Sequence, residues 1–319
     1  MALGTNHVIA SEVPNFIPEL WSDEVIASYK SNLVFAPLVR TLNHRGKKGD
    51  TIKVPTPTRG NASDKTAETE VTLIQHGTDA GLSISIDKHK EYSRLIEDIV
   101  DVQALESLRR FYTDDGGYAI AKQVDVDIII EMLKKSGASI TTDSNDTNVT
   151  TASTFPTLYE GDGTTWDEST TITAVDDGGI RTFVRLLDVN DVPMANRVFV
   201  VHPLTKEDLL GIARFTEEAF VGERGRGNTI RNGLVGDLYN MDVYVTNQLP
   251  TVEEALGTTA AVLNYVFHQD AAVLVEQAGV RSQTQYKQEY LADLFTVDMI
   301  YGTKILRDDS IVPVVTPNS

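Results

Sequence analysis

Hydrophobic positions along this chain change period several times, and each change predicts a change of element. From Gly46 to Lys90 the pattern is short and alternating. Val71 and Leu73 in TEVTLIQ, and Leu82, Ile84 and Ile86 in GLSISIDK, are separated by polar residues, the period of strands with one covered face. Turn-rich breaks, RGNASDK and HGTDAG, divide these runs, so the segment reads as a long, thin hairpin with too few bulky apolar residues for a core of its own. Such a hairpin needs a partner surface.

Helical spacing dominates from Glu91 to Lys135, where Leu95, Ile96, Ile99, Val102, Leu105, Leu108, Tyr112, Ile128, Ile129, Met132 and Leu133 recur at threes and fours. TDDGG, Thr113 to Gly117, interrupts this run, and two adjacent glycines cost a helix roughly 2 kcal/mol relative to alanines. Upstream, Pro14 and Pro18 favour an extended path, followed by a short amphipathic pattern of Leu20, Val25, Ile26 and Tyr29 with Ser22 as N-cap. This is an arm whose Phe16 and Trp21 press against something else.

Residues 137–179 are rich in Thr, Ser, Asp, Asn and Gly and read as loops, with short strand around FPTLYEG. A second globular unit follows. GGIRTFVRLLDV is helical, ANRVFVVHP is a buried-strand run, and LTKEDLLGIARF is an amphipathic helix with Thr205 as N-cap. Val243 and Val245 alternate with Tyr244 and Thr246 in a further strand, and LNYVFHQDAAVLVEQAG and YLADLFTVDMIYGTKILRDDSIVPVVTP complete a sheet. The fold class is α+β.

Composition narrows the function. The 319 residues include no cysteine, which removes disulfides and thiolate chemistry. Neither a signal-peptide pattern nor a stretch of ~20 apolar residues is present, so a soluble, cytoplasmically made protein is expected. Lys and Arg number 28 against 46 Asp and Glu, a net charge of −18 that disfavours avid nucleic-acid binding. The cationic cluster Arg40, Arg45, Lys47, Lys48 and Lys53 lacks interleaved aromatics and reads as a solvated or partner-facing surface.

Candidate chemistry is sparse. The six histidines are scattered without zinc-binding spacing, and no G-x-S-x-G elbow is present. DSNDTN, from Asp143, lacks the glycine and the bidentate glutamate of a calcium loop, with Asn148 and Thr154 in those places. Asp125 and Asp127 lie two apart on a helical segment and do not share a face, so solvation or salt bridging is expected of them. In GERGRGNTIRNG, Gly222, Gly227, Asn228 and Thr229 have phosphate-loop spacing. Asn228 replaces the lysine, helical spacing precedes the segment, and Gly233 and Gly236 would interrupt a following helix, so nucleotide binding is not expected. No catalytic residue, cofactor or metal is assigned.

The order of parts resembles the major capsid proteins of tailed double-stranded DNA phages, the Hong Kong 97-type fold. FIPELWSDEV with SNLVFAPLV is similar to the arm, and GDTIKVPTP with TAETEVTLIQ and GLSISIDK to the extended loop. YAIAKQVDVDIIIEML resembles the second half of the spine helix, and NGLVGDLYNMDVYVTNQLP the axial-domain turn and strand, with Asn240 where a glycine is expected. The resemblance implies an N-terminal arm at 1–45, an extended loop at 46–90, a peripheral domain with spine helix at 91–178 and 262–319, and an axial domain at 179–261. It also implies one helix from about Val102 to Lys135, roughly 50 Å long, running through TDDGG.

The function then expected is assembly into hexamers and pentamers of an icosahedral head around packaged DNA, without sequence-specific binding and without a membrane. An encapsulin-like shell is the alternative. Portal, scaffolding and decoration or cement proteins are the implied partners, the virion is the location, and assembly takes place in host cytoplasm. The arm-like start implies a separate or already removed scaffold. Candidate intersubunit contacts are Phe16 and Trp21 in the arm, and Lys53, Arg59 and Lys65 in the loop. In the axial segment they are Glu223, Arg224, Arg226 and Arg231, with Gly222, Gly225 and Gly227 giving adaptability and Glu217 and Glu218 as acidic partners.

Overall fold

The computed structural model describes residues 33–46, 48–56, 80–97, 108–133, 158–166, 172–212, 236–249, 251–252 and 261–317, with a few single positions between 62 and 70. Within these, one turn of helix α1 (Phe35–Leu38) leads into strand β1 (Arg40–Asn43). Strands β2 (Thr51–Thr56) and β3 (Ala80–Ser85) pair as expected, in register from Thr51 opposite Ser85 to Thr56 opposite Ala80, while Val71 and Leu73 of the expected hairpin lie outside the described residues. The described apolar residues find their partner within the chain. Ile84 and Ile86 pack with Val273 and Val275, and Ile52 and Val54 lean on the same cluster.

Residues 88–97 form strand β4, which corrects the helical reading of Glu91–Glu97. The spacing of Leu95 and Ile96 with Ile99 suits a helix. A ladder to the later strand β12 (Ala292–Ile305), from Lys88 opposite Tyr301 to Glu97 opposite Ala292, overrides that local preference. In this sheet the alternation of Tyr92, Arg94 and Ile96 is the period that matters.

Helix α2 (Leu108–Leu133) runs without a break through Thr113–Gly117 over 26 residues, about 39 Å at ~1.5 Å per residue. The outer parts of the expected helix, 102–107 and 134–135, lie outside the described residues. Gly116 has a packing reason. A Cβ there would stand 2.9 Å from the Tyr92 ring and 3.2 Å from Val297, so glycine lets the helix lie close against β4 and β12.

Two sheets organise the body. The first has the order β1, β11 (Ala272–Lys287), β12, β4, with β1 parallel to β11 and the other pairs antiparallel. At Gly302 of β12 the backbone oxygen of Ser85 lies 2.2 Å from where a Cβ would be, so the hairpin crosses the sheet where no side chain intervenes. The second sheet contains β5 (Tyr159–Glu160), β13 (Ile311–Pro317), β10 (Ala261–His268), β6 (Arg197–Val201), β8 (Met241–Val245) and β7 (Asp237–Leu238) in that order. Strand β9 (Thr251–Val252) pairs with β10. Strand β10 bonds directly to β6 and carries β13 beside it. Strand β1 is an edge strand of the first sheet.

Helix α3 (Asp177–Val189) starts where the Asp176 carboxylate accepts the Gly179 N–H at 2.6 Å. Its Ile180, Phe183 and Leu187 cover one face of the second sheet with Phe199, Val201, Val266, Val312 and Val314. The other face, with Leu263, Tyr265 and Phe267, meets α2 and α1. Helix α4 (Pro203–Gly211) is capped by His202, whose Nδ1 accepts from the Leu204 N–H, and not by Thr205. Thr205 lies three residues past the cap position, and its hydroxyl is buried against that of Thr316 at 2.8 Å. Asn240 has φ 65°, in the left-handed region where asparagine substitutes for glycine.

The two neighbouring glycines of α2 separate packing from propensity. Nothing lies within 4 Å of a Cβ at Gly117. Gly117→Ala is expected to raise the unfolding free energy of the unassembled chain by about 1 kcal/mol. Gly116→Ala should lower it despite the same gain in helix propensity, because the Tyr92 hydroxyl is held by Asp115 and Arg94 and its ring cannot swing away freely. Denaturant unfolding of both variants checks the opposite signs.

Candidate functional site

Of the nine candidate contacts, Phe16, Trp21, Arg59, Glu223, Arg224, Arg226 and Arg231 lie outside the described residues, as does the whole GERGRGNTIRNG segment. Lys53 is exposed on β2, opposite Ser83, and Lys65 is exposed between β2 and β3. Part of the cationic cluster is used within the chain. Arg40 pairs with Asp270 at 3.3 Å, and Arg45 pairs with Glu276 while lying over Gly279. The described residues contain no group of three or more His, Asp or Glu side chains arranged to hold a metal ion.

The two aspartates of α2 carry dense polar contacts: solvation, one of the two expectations for them, is corrected, while the other, salt bridging, holds for Asp127. Both are buried. Asp125 Oδ2 accepts the backbone N–H groups of Val34 at 2.9 Å and Phe35 at 3.2 Å, while Oδ1 accepts that of Ala36 at 2.9 Å. Burial raises its pKa, and the three amide bonds work against that rise. Asp127 points elsewhere. Its Oδ2 accepts from the Tyr301 hydroxyl at 2.6 Å and pairs with Lys88 at 3.4 Å, and its Oδ1 accepts from Gln123 at 3.3 Å. Burial and then the Asp127 carboxylate push the Tyr301 phenol far above its ordinary range.

Sequence reasoning placed the pair correctly on different faces but missed what each face meets. The signal was present: Asp125 stands three and four residues before Ile128 and Ile129, on the apolar stripe, where a solvated carboxylate does not belong.

Beyond these anchors the first sheet projects. Along β11 burial falls from its first residues, which are covered, to exposed residues from Val280 onwards. Helix α2 covers the face carrying Tyr92, Phe295 and Val297. On the opposite face Arg281 makes a two-oxygen contact with Asp298, at 2.6 and 2.8 Å, and His89 Nε2 stands 3.0 Å from the same carboxylate. The Arg281 guanidinium holds the Asp298 carboxyl down at about 2. Val280 midway along β11, and Leu95, Tyr286, Tyr290 and Leu291 near the far end, are all exposed, the last two at 64% and 65%.

At the root of this projection, where the two sheets meet, Asn190, Asp191, His268, Asp270, Arg307 and Asp309 border a cleft of about 290 Å³. His268 is buried and its Nδ1 accepts the Asp270 N–H at 3.1 Å.

A body with a thin hairpin and a projecting blade leaves large apolar side chains in water, the kind of exposed apolar surface found at interaction sites. Residues 82–312 match the sequence model of the phage capsid protein family, and the chain belongs to that family. Solved structures agree in fold. That of Mycobacterium phage Che8 shares 24% identity with a TM-score of 0.69, covering 94% of this chain and 97% of that one. The capsid of the cyanophage P-SCSP1u shares 17% at a TM-score of 0.73, covering 99% and 97%. The capsid of Ralstonia phage GP4 shares 16% at 0.70, covering 99% of each chain. No curated protein matches. The chain is thus a phage capsid protein, with its place in the virion shell.

The Arg281–Asp298 contact gives a pH signature. A carboxyl at about 2 in the folded chain, against about 3.9 unfolded, adds stability that is fully present above pH ~4. That stability is lost as pH falls through about 2. Asp298→Asn should therefore flatten the stability curve between pH about 4 and about 2 relative to the unsubstituted chain, as read by chemical unfolding at successive pH values.

Proposed function

We propose that the chain is the repeating unit of a Hong Kong 97-type phage head. In this reading α2 is the spine helix and the hairpin at 46–90 is the extended loop. The first sheet belongs to the peripheral domain and residues 1–45 supply the arm. The second sheet, with α3 and α4, forms the axial domain and takes 262–268 and 311–317 with it. Hexamers and pentamers close around the axial ends, and the segment of Glu223, Arg224, Arg226 and Arg231 lies between copies. Phe16 and Trp21, with Lys53, Arg59 and Lys65, brace neighbouring subunits.

The observation that carries this reading is the far half of the β4–β11–β12 blade. A lone subunit leaves Leu95, Val280, Tyr286, Tyr290 and Leu291 in water. Covering them with another copy gains roughly 25 cal/mol per Å² of apolar area before ordering costs are met. Repeated around a closed shell, modest interfaces of this kind sum to a stable particle without any one of them being tight.

Charge supports the same account. A subunit at −18 does not bind the DNA backbone by counterion release, so a genome packaged without sequence-specific contacts stays free of the wall. Portal, scaffolding and decoration proteins complete the head during assembly in the host cytoplasm. The role is structural and involves no catalysis.

Replacing Tyr290 and Leu291 together by aspartate tests this directly. Both side chains are exposed in the subunit, so unfolding should change by no more than about 0.5 kcal/mol, while shells seen by negative-stain microscopy should be lost or greatly reduced. Shells of normal yield and size would refute the covering role of the blade.

A further inference from the structure

We propose that Asp125 is a positioning residue for assembly: from the middle of α2 it fixes the place and direction of the segment Val34–Ala36 on the body of the subunit. The proposal rests on the capsid reading above and names a residue through which that reading works.

Helix α1 is only four residues long. Its leading amide groups have no partner within a single turn, and buried amides without partners are costly. Two oxygens of one carboxylate, on a residue about 90 positions further along the chain, accept three of these amides in succession. Among the described residues no cation pairs with Asp125, and three backbone N–H groups meet its carboxylate. A buried carboxylate is a poor way to gain stability, because an apolar side chain of similar size avoids its desolvation. What it supplies is direction. Three donors converging on two oxygens allow one orientation of α1, whereas apolar contact permits sliding.

The surroundings reinforce that orientation. Phe35 is fully buried, stacked on Phe267 at 6.1 Å between ring centres and edge-on to Tyr265 at 6.3 Å. Two residues along α2, Asp127 holds Lys88 and Tyr301, just past the hairpin and on the blade. Residues two apart on a helix point about 200° from each other. One helix thus ties down, with two carboxylates, the roots of both elements that reach towards neighbouring subunits.

The test uses the complete chain, with Asp125→Asn as the main variant because its shape is unchanged, and Asp127→Asn as the control. Amide hydrogen exchange is followed at Val34, Phe35 and Ala36 and, for reference, at Ile128, Ile129 and Met132, and particles are imaged. In the unsubstituted chain the first three amides should exchange as slowly as the reference set. Asp125→Asn should speed them at least about tenfold with the reference set unchanged, and should yield open or irregular shells. Asp127→Asn should leave the three amides slow.

Rapid exchange at Val34–Ala36 in the unsubstituted chain, a measurement that needs no variant, would overturn the clamp. So would slow exchange in Asp125→Asn. Regular closed shells from a variant with fast amides would overturn the positioning role. If the unsubstituted chain shows the amide pattern but forms no shells even when co-expressed with its scaffolding protein, the Hong Kong 97-type reading falls and the assembly role with it, while the clamp stands.

Discussion

Burial of one face of α2 against both sheets is the interaction on which the rest of the subunit depends. Ile120, Val124, Ile128, Ile129, Met132 and Leu133 form its covered stripe, joined in one core to Tyr265 and Phe267 of β10, Leu274 of β11, and Phe295 and Val297 of β12. Each such side chain contributes roughly 1.5–3 kcal/mol on burial. Without the helix, the two sheets would share little beyond the chain crossings at Asp270–Ala271 and Leu306–Arg307, where the Leu306 and Arg307 N–H groups both donate to the Ala271 carbonyl. The helix is therefore a strut, and the features that let it lie close matter more than its intrinsic propensity. Gly116 is the clearest of these.

A rigid strut also explains how thin elements can be functional. The hairpin root rests on Val273 and Val275, and the arm root rests on α2 and β10. Each described segment is fixed to the body by these contacts. Polar anchoring at the bases and apolar exposure at the blade's end divide the two tasks. Orientation is set within the subunit, and the blade's apolar side chains remain exposed there.

Much of this was legible from sequence wherever the determining contacts are local. The alternation in GLSISIDK, the buried run ANRVFVVHP, the helix GGIRTFVRLLDV and the C-terminal strands all emerge as read, because period and burial agree there. Two errors share one cause. Residues 91–97 carry a helical spacing that the ladder to β12 overrules, and Thr205, a good N-cap by type, is taken up by Thr316 from the far end of the chain. The roles of Asp125 and Asp127 depend on partners about 90 and 174 residues away, which no local pattern encodes. Resemblance to a family supplied the order of parts, but the strand ladders, with β10 and β13 beside β6, came only from the fold.

The central claim is that the subunit is completed by copies of itself. A cryo-electron microscopy reconstruction of whatever the purified, unsubstituted chain forms at assembly concentrations tests it most directly. The account predicts closed icosahedral shells in which the exposed end of the β4–β11–β12 blade is covered by neighbouring subunits and the hairpin passes over another copy. A monodisperse monomer, or shells in which Tyr290 and Leu291 stay in solvent, would contradict it.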